Sequence, residues 1–304
     1  MKSVPMAKAP EQRRWFAVVA AMLLIPCAAL AQAPAASSPS SLPPTSDPRE
    51  IIRRAAENDF ANDQKVRDYT YVERNFEQRL DKRGRVESTK ITTREFMILY
   101  DEPVERLIAR DDKPLPPDEA RKEQERIDKW AEKHKNESPE EKQKRLAAEE
   151  KDREDDRAFV KEVADAYNFQ MLPDEKLGGR DAFVIDAEPR AEFQPRSKEG
   201  KYLSRLRFRI WVDKTDYDWV KLDAQVIDTV SWGLFLLRLH QGSRIVIEQT
   251  RVNDEVWLPL RIQLKVDARL GLIKGFNANA DVTFKDYQKF RSEVHILPQQ
   301  PAHE

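Results

Sequence analysis

Alternation of apolar and polar residues through the second half of the chain limits what it can fold into. Along residues 258–269, leucine, isoleucine and valine alternate with arginine, glutamine and lysine, and residues 205–212 and 277–284 repeat the pattern. A period of two is the period of a β-strand that buries one of its faces. Short segments rich in glycine, asparagine and aspartate separate these runs. The pattern therefore predicts an antiparallel meander with one apolar and one polar face.

Pro259 lies inside one of these runs. Proline has no N–H to donate to a ladder and is therefore confined to edge strands or bulges. We expect the strand that contains Pro259 to be an edge there or to carry a bulge.

The polar side of the hairpin over residues 205–226 begins with a basic stripe. Nucleic-acid binding would require an excess of one sign with aromatic residues interleaved on the same face. The formal net charge of the chain is −1, and Phe208 and Phe284 fall with the aliphatic residues instead. The stripe is Arg205, Arg207 and Arg209, and the acidic residues of the same hairpin are Asp213, Asp216, Asp218 and Asp223. We interpret the arginines as the solvated face of a sheet and expect no nucleic-acid partner.

The N-terminal half adds a helix and further strands. Asp47 caps free N–H groups and Pro48 suits a first turn, which predicts a helix over residues 48–62. Its apolar stripe is Ile52, Ala55, Ala56 and Phe60. Residues 68–110 then show strand patterns around a turn at Gly84.

A highly charged insertion at about residues 111–160 interrupts the strands. Ser138 and Glu141 form the pattern of a capping box, which predicts two helices separated near Asn136. Apolar residues return at helical spacing in Phe159, Val163, Ala166 and Tyr167. We interpret the insertion as a solvated arm whose last turns dock on the domain, and we expect its deletion to cost little stability. An arm that binds a partner is the alternative.

The ends of the chain are typical of processing and linker segments. Residues 1–31 combine a basic start, a short apolar run and a small-residue cleavage site, as a signal peptide does. Residues 32–46 and 298–304 are poor in large apolar side chains and are expected to be disordered. A single domain over residues 47–297 remains. We expect it in the periplasm or outside the cell, with no membrane-spanning segment.

The signal region also bears on export and redox state. Sec-type export is expected, and the pair Arg13-Arg14 leaves twin-arginine export as the alternative. Cys27, the only cysteine, lies in the segment that is expected to be removed, and Pro26 is not the small residue that lipid attachment requires. The mature protein then has no disulfide and must be held together by its core.

The segment SWGLFLLRLHQG, residues 231–242, is apolar nearly all round. Trp232, Phe235, Leu236 and Leu239 have the spacing of one helical face, and a helix there would end near Gly242. The segment lies between two amphipathic hairpins, so short connections would place it over the apolar face of the sheet. We predict that it lines an apolar pocket. The alternative is that it completes a solid core.

The order of elements resembles that of the periplasmic outer-membrane lipoprotein-sorting proteins. These are the LolA-LolB-like superfamily of carriers and receptors, with a relative that senses envelope stress. The resemblance rests on RIWVDKTDYDWVKLDA (209–224), EVWLPLRIQLKV (255–266) and TFKDYQKF (283–290). It implies an α+β fold in which a curled antiparallel sheet, a half-barrel, carries helices on its concave side and holds acyl chains between them.

The residues do not indicate an enzyme. The four histidines lack the spacing of a metal site, and the mature chain has no cysteine nucleophile, GxSxG elbow or phosphate-binding glycine loop. Asp213, Asp216 and Asp218 do not fit a calcium loop. We therefore expect no catalytic residue, no metal and no cofactor.

Two functions remain. The first is a carrier or sensor that holds a lipidic ligand, or the acyl anchor of a lipoprotein, in a cavity between the sheet and its helices. The alternative is an envelope scaffold or regulator with a solid core that binds a protein through residues 111–160. The candidate pocket residues are Trp232, Phe235, Leu236, Leu239, Phe208, Ile210, Leu264 and Phe284. The two functions differ in the apolar face of the sheet, which is hollow in the first and packed in the second.

Overall fold

One long antiparallel sheet organises the described part of the chain. The computed structural model describes residues 46–290 except 101, 136, 198, 233–236 and 271–273. The helices are α1 (Pro48–Val66), α2 (Pro117–Lys135) and α3 (Pro139–Ala166), and a 3₁₀ helix covers Gly200–Arg205. The strands are β1 (Tyr69–Leu80), β2 (Val86–Leu99), β3 (Glu102–Arg110), β4 (Lys113–Pro114), β5 (Tyr167–Leu177), β6 (Arg180–Pro189), β7 (Leu206–Asp213), β8 (Trp219–Val226), β9 (Val230–Trp232), β10 (Leu237–Leu239), β11 (Arg244–Val252), β12 (Val256–Leu270) and β13 (Lys274–Lys289).

The strand order shows that the sheet curls without closing. It runs β4-β3-β2-β1-β13-β12-β11-β8-β7-β6-β5, with β9 and β10 as a side branch on β12. Within the described strands, β3 and β4 at one end make no ladder with β5 at the other. The predicted fold class, a curled antiparallel half-barrel with helices and a charged helical insertion, is confirmed.

The N-terminal and C-terminal strands meet in the middle of this order. β1 pairs with β13 along nearly its whole length, from Tyr69 opposite Lys289 to Leu80 opposite Asn277. Strands β1–β4 therefore extend the sheet in one direction from this ladder, and strands β5–β12 extend it in the other.

Helix α1 marks one face of the sheet, which we call the inner face. The side chain of Asp47 accepts a hydrogen bond from the Arg49 N–H at 3.0 Å, which confirms the predicted cap. Ile51, Ile52 and Ala55 are buried against strands β6 and β7. The predicted stripe was shifted, because Ile51 is fully buried whereas Ala56 and Phe60 are half-buried.

The outer face carries the basic stripe, and its arginines are paired. Arg209 forms a bidentate pair with Asp186 on β6, Arg207 donates to Gln225, and Arg205 pairs with Asp228. The interpretation as a solvated face is confirmed. The acidic residues of the hairpin have other partners, since Asp213 and Asp216 pair with Arg180, and Asp223 pairs with Arg244. Neighbours across adjacent strands thus set the pairs of this face, both within the β7–β8 hairpin and outside it.

The charged insertion forms the two predicted helices, and the capping box of Ser138 and Glu141 is present. Its first helix is bound to the sheet more closely than a solvated arm would be. Ile127 is buried, Glu123 accepts the N–H of Leu107 at 2.8 Å, and Arg126 donates to the carbonyl of Glu105. Both backbone groups belong to β3, so α2 supplies hydrogen bonds along the edge of the sheet.

Helix α3 connects the two ends of the strand order. Near its start, Arg145 pairs with Glu102 at the beginning of β3. At its end, Ala166 is buried and leads directly into β5. The helix between Arg145 and Ala166 is about 30 Å long at 1.5 Å per residue. The insertion thus bridges the opening that the sheet leaves.

The segment over residues 231–242 is not a helix as the sequence predicted. Val230–Trp232 and Leu237–Leu239 are strands that pair with each other, and Leu239 also lies opposite Ala268 of β12. Residues 233–236, which follow Trp232 in the sequence, lie outside the described residues.

The expected irregularity at Pro259 is confirmed. Glu248 of β11 pairs with Arg261 whereas Gln249 pairs with Pro259, so Leu260 is an extra residue and forms a bulge. On the other side of the strand, pairing with β13 begins at Arg261. The missing proline N–H therefore interrupts no ladder.

Candidate functional site

The inner face is apolar from β6 to β13, with buried and half-buried residues on both early and late strands. Leu222, Ala224, Ile245 and Ile247 of β8 and β11 form a buried cluster. On the next strands Val282, Ala278 and Ala268 are buried, and five other inner residues are half-buried. These five are Ile262, Leu264 and Val266 of β12 and Ala280 and Phe284 of β13. The apolar surface is thus continuous, and its β12–β13 part is partly accessible at these five positions.

The inner face changes from apolar to polar at the ladder between β13 and β1. Phe284 lies opposite Glu73, Val282 opposite Asn75, and Ala280 opposite Glu77. On β2 the same face continues with Arg94, Thr92 and Lys90, which lie opposite those three β1 residues. A polar surface therefore adjoins the apolar one along a single pair of hydrogen-bonded strands.

Arg94 is at the centre of the polar side. Its guanidinium is 16% exposed and donates a hydrogen bond to the Thr92 hydroxyl at 3.0 Å. The carboxylates of Glu73 and Glu105 lie 3.6 Å and 3.7 Å from it, which is beyond ordinary hydrogen-bond distance. Asn75 is 7% exposed, and its side-chain oxygen is buried without a hydrogen-bond partner.

Burial raises the pKa of Glu73 to about 7, against the opposing effect of the Arg94 charge, while the nearby Glu105 raises it further. A buried carboxyl costs free energy in its charged form, and a guanidinium that stands off by 3.6 Å compensates only part of that cost. Glu73 is thus poised between its neutral and ionised forms near neutral pH.

Aromatic rings lie at the end of this surface near the start of β1. Tyr71 stacks on Phe96 with 4.6 Å between ring centroids, and it contacts Phe284 edge-on at 5.8 Å and Tyr287 at 5.6 Å. Phe284 thereby links the aromatic group, the apolar strands and Glu73.

The predicted pocket residues fall into three groups. Phe208, Ile210 and Leu264 lie on the inner face around the β8–β11 cluster, and Phe284 lies at the polar boundary. Leu239 is buried in a separate cluster with Leu206, Val226, Val230 and Ala268. The structure describes the strand position of Trp232 but not its side chain, and Phe235 and Leu236 lie outside the described residues. Sequence reasoning missed Glu73, Asn75 and Arg94.

A second polar cluster joins α1 to the β7–β8 hairpin. Trp219 Nε1 donates to the Asp59 carboxylate at 2.7 Å, and Asn58 donates to the Asp216 carbonyl at 2.6 Å. Asp213, fully buried, accepts two hydrogen bonds from Arg180. These groups are paired with each other, so the cluster stabilises the α1–sheet junction.

The described residues give no sign of a metal centre or a membrane-crossing helix. They contain no group of three or more histidine, cysteine or acidic side chains placed to hold a metal ion. None of the helices in this part of the chain combines the length and apolar character that crossing a bilayer requires. An open groove of about 350 Å³ lies on the outer face, and its lining mixes polar residues such as Arg244 and Gln263 with apolar ones such as Phe76 and Val246.

Comparison with known proteins gave matches among solved structures. Neither a family model nor a curated protein matches the chain. A LolA superfamily protein from Nitrosomonas europaea is similar at 11% identity and a TM-score of 0.30, over 81% of this chain and 94% of that one. A putative outer membrane lipoprotein-sorting protein domain from Vibrio parahaemolyticus is similar at 12% identity and a TM-score of 0.28. The match covers 81% of this chain and 95% of that one.

The complex of MucA and MucB from Pseudomonas aeruginosa is also similar, at 12% identity and a TM-score of 0.23, over 81% of this chain and 100% of that one. The resemblance predicted from the sequence is confirmed, in that the LolA superfamily and lipoprotein-sorting domains are among these matches. At such TM-scores we draw nothing about function from them. The functional reasoning rests on the inner face itself.

Proposed function

We propose that this protein is an exported, non-enzymatic carrier or sensor that binds a lipidic ligand, or the acyl anchor of a lipoprotein, on the inner face of its sheet. The observation that supports this proposal most is the partly exposed apolar surface of β12 and β13. Ile262, Leu264 and Phe284 are half-buried beside a buried cluster, against which Ile262 and Leu264 pack. Apolar surface next to a core tends to be covered, so its accessibility points to a ligand of the same character.

The proximity of polar residues supports an amphipathic ligand over a purely apolar one. Glu73, Asn75 and Arg94 adjoin the apolar strands with no intervening strand. A hydrocarbon chain lying on Leu264 and Ala280 would bring its polar end to this boundary. Lipids and acylated protein termini combine these two parts.

The alternative, a scaffold with a solid core, would bind a protein through the α2–α3 insertion. Most side chains of α2 face solvent, which is compatible with such a role. However, a solid core does not account for the accessible apolar residues of β12 and β13. We therefore favour the ligand-binding function and use the alternative as an outcome of the test.

The test places a bulky side chain on each face of β13. Ala280 is half-buried on the inner face, and the adjacent Asn279 points to the outer face. Ala280→Trp should fill the apolar surface and reduce the affinity for a fluorescent fatty-acyl probe by at least about tenfold, which corresponds to ~1.4 kcal/mol. Asn279→Trp should leave the affinity unchanged. Probe titration and chemical denaturation of both variants provide the measurement.

Two results would contradict the proposal. One is a wild-type protein that binds no acyl probe, and the other is equal loss of affinity in Ala280→Trp and Asn279→Trp. A scaffold would show the first result together with a large loss of stability in Ala280→Trp, because overpacking a filled core typically costs about 1–3 kcal/mol.

A further inference from the structure

We propose that Glu73, Asn75 and Arg94 form the headgroup site of a zwitterionic phospholipid that carries a primary ammonium group. The ammonium lies between the Glu73 carboxylate and the Asn75 side-chain oxygen, and the phosphate lies on the Arg94 guanidinium. This inference rests on the proposed function, because it specifies which end of a lipidic ligand the polar side of the inner face recognises.

The acceptors favour a ligand with N–H donors. The Asn75 oxygen is buried without a partner, and leaving an acceptor in that state costs free energy. Glu73 is two residues away on the same face of β1, and its side chain is 16% exposed. An ammonium group has three N–H donors, which is enough to satisfy both acceptors together.

Arg94 supplies the complementary charge. Its hydrogen bond to Thr92 uses one of five N–H donors, and the two nearest carboxylates remain 3.6 Å and 3.7 Å away. A guanidinium binds phosphate in a bidentate manner. Arg94 lies opposite Glu73 across the β1–β2 ladder, and its guanidinium nitrogen is 3.6 Å from the Glu73 carboxylate oxygen. In an ethanolamine headgroup two carbons link the phosphate to the ammonium, which lets the phosphate reach Arg94 while the ammonium reaches Glu73.

The cluster disfavours two other headgroup classes. A purely anionic headgroup would meet the carboxylates of Glu73 and Glu105 on either side of Arg94. A choline headgroup is zwitterionic but has no N–H to offer Asn75. The raised pKa of Glu73 is consistent with a carboxyl that becomes fully ionised when a cation arrives.

Displacement of the bound fluorescent acyl probe tests the inference. Three phospholipids with identical short acyl chains are compared, with ethanolamine, choline or glycerol headgroups. The ethanolamine lipid should displace the probe at a concentration at least about tenfold lower than the choline lipid, since charge-assisted hydrogen bonds are worth that factor or more. The glycerol lipid should be the weakest of the three.

Variants then assign the preference to residues. Glu73→Gln and Asn75→Leu should each reduce the preference for ethanolamine over choline to less than about threefold. Arg94→Gln should weaken both lipids in parallel. Glu87→Gln changes an exposed carboxyl of β2 and is the matched control, which should keep the wild-type preference.

The outcomes separate this inference from the proposed function. If the wild type binds the acyl probe but ethanolamine and choline lipids displace it equally, the headgroup site is wrong while acyl binding stands. A preference for the glycerol lipid, or a preference that survives Glu73→Gln, would also overturn it. If the wild type binds no acyl probe, both proposals fail.

Discussion

Asp59 and Asp218 are the residues whose charges the fold tolerates least well at the α1–sheet junction. Burial raises the pKa of Asp59 to about 6, although the hydrogen bond from Trp219 opposes the shift. Burial likewise raises the pKa of Asp218 to about 6, and the nearby Asp59 adds to the effect. Each carboxyl therefore binds a proton more tightly in the folded protein than in the unfolded chain.

These raised pKa values determine how the free energy of unfolding changes with pH. Between pH 4 and 6 the folded state holds protons that the unfolded state has released, so the free energy of unfolding falls as the pH rises through this range. Asp59→Asn keeps an oxygen for Trp219 and removes the charge. We expect it to flatten the profile and to raise the free energy of unfolding at pH 7 by up to about 3 kcal/mol.

Urea denaturation at pH 4.5, 5.5 and 7 provides the measurement for Asp59→Asn. Glu57→Gln, at an exposed position of the same helix, is the control and should leave the profile unchanged. An Asp59→Asn variant that is less stable than wild type at pH 7 would show that the ionised carboxylate stabilises the fold after all.

The polar cluster on the inner face could not be identified from the sequence. Along β1, Tyr71, Glu73, Asn75 and Glu77 alternate with Val72, Arg74 and Phe76, so neither set is clearly apolar. Periodicity places residues on a common face, but it does not say which face is inward when both are mixed. That assignment comes from the ladder with β13, whose inward residues Val282 and Phe284 are unambiguous. The one sequence feature that could have indicated the polar cluster is the interruption of the apolar pattern in β1.

At the scale of elements, α2 protects the edge of the sheet. Glu123 accepts a hydrogen bond from the Leu107 N–H, and Arg126 donates one to the Glu105 carbonyl. Within the described residues, no neighbouring strand bonds these two backbone groups of β3. We expect Glu123→Ala combined with Arg126→Ala to free this edge and to produce concentration-dependent association. Light scattering and sedimentation over a dilution series would detect it. Lys122→Ala, on the exposed side of the same helix, is the control, and association of both variants to the same extent would contradict the role of the edge.

Helices were predicted correctly where capping residues and charge patterns marked their ends. The prediction was wrong in the continuous apolar segment over residues 231–242. Ser138 and Glu141 located the start of α3 because the capping box is a local signal. Trp232 and Leu239 had helical spacing, yet their segments form strands because pairing with β12 decides the conformation. Such pairing joins residues that are distant in sequence, and local periodicity does not contain it. The small stability cost expected for deleting the insertion stays a prediction, and the contacts of α2 with β3 are what such a deletion would remove.

At the scale of the whole molecule, α3 runs from the start of β3 to the start of β5 and so spans the opening of the half-barrel. We expect Ala148→Pro, at an exposed position within the helix, to break it and to broaden the distance between the two ends of the sheet. Spin labels on cysteines introduced at positions 113 and 176 would report that distance, with Cys27, the only native cysteine, replaced by serine. Ala148→Ser is the control. An unchanged distance distribution in Ala148→Pro would mean that the sheet keeps its own curvature.

The central ladder between β1 and β13 also fixes when the inner face can form. β1 is made early in synthesis, and its partner is made roughly two hundred residues later. The polar and apolar sides of the proposed site come from opposite ends of the chain and meet at this ladder. Contacts between such distant segments form late, because a long loop must close first. An incomplete chain therefore lacks the junction between these two sides, and we expect the proposed ligand to be taken up only after the last strand is in place.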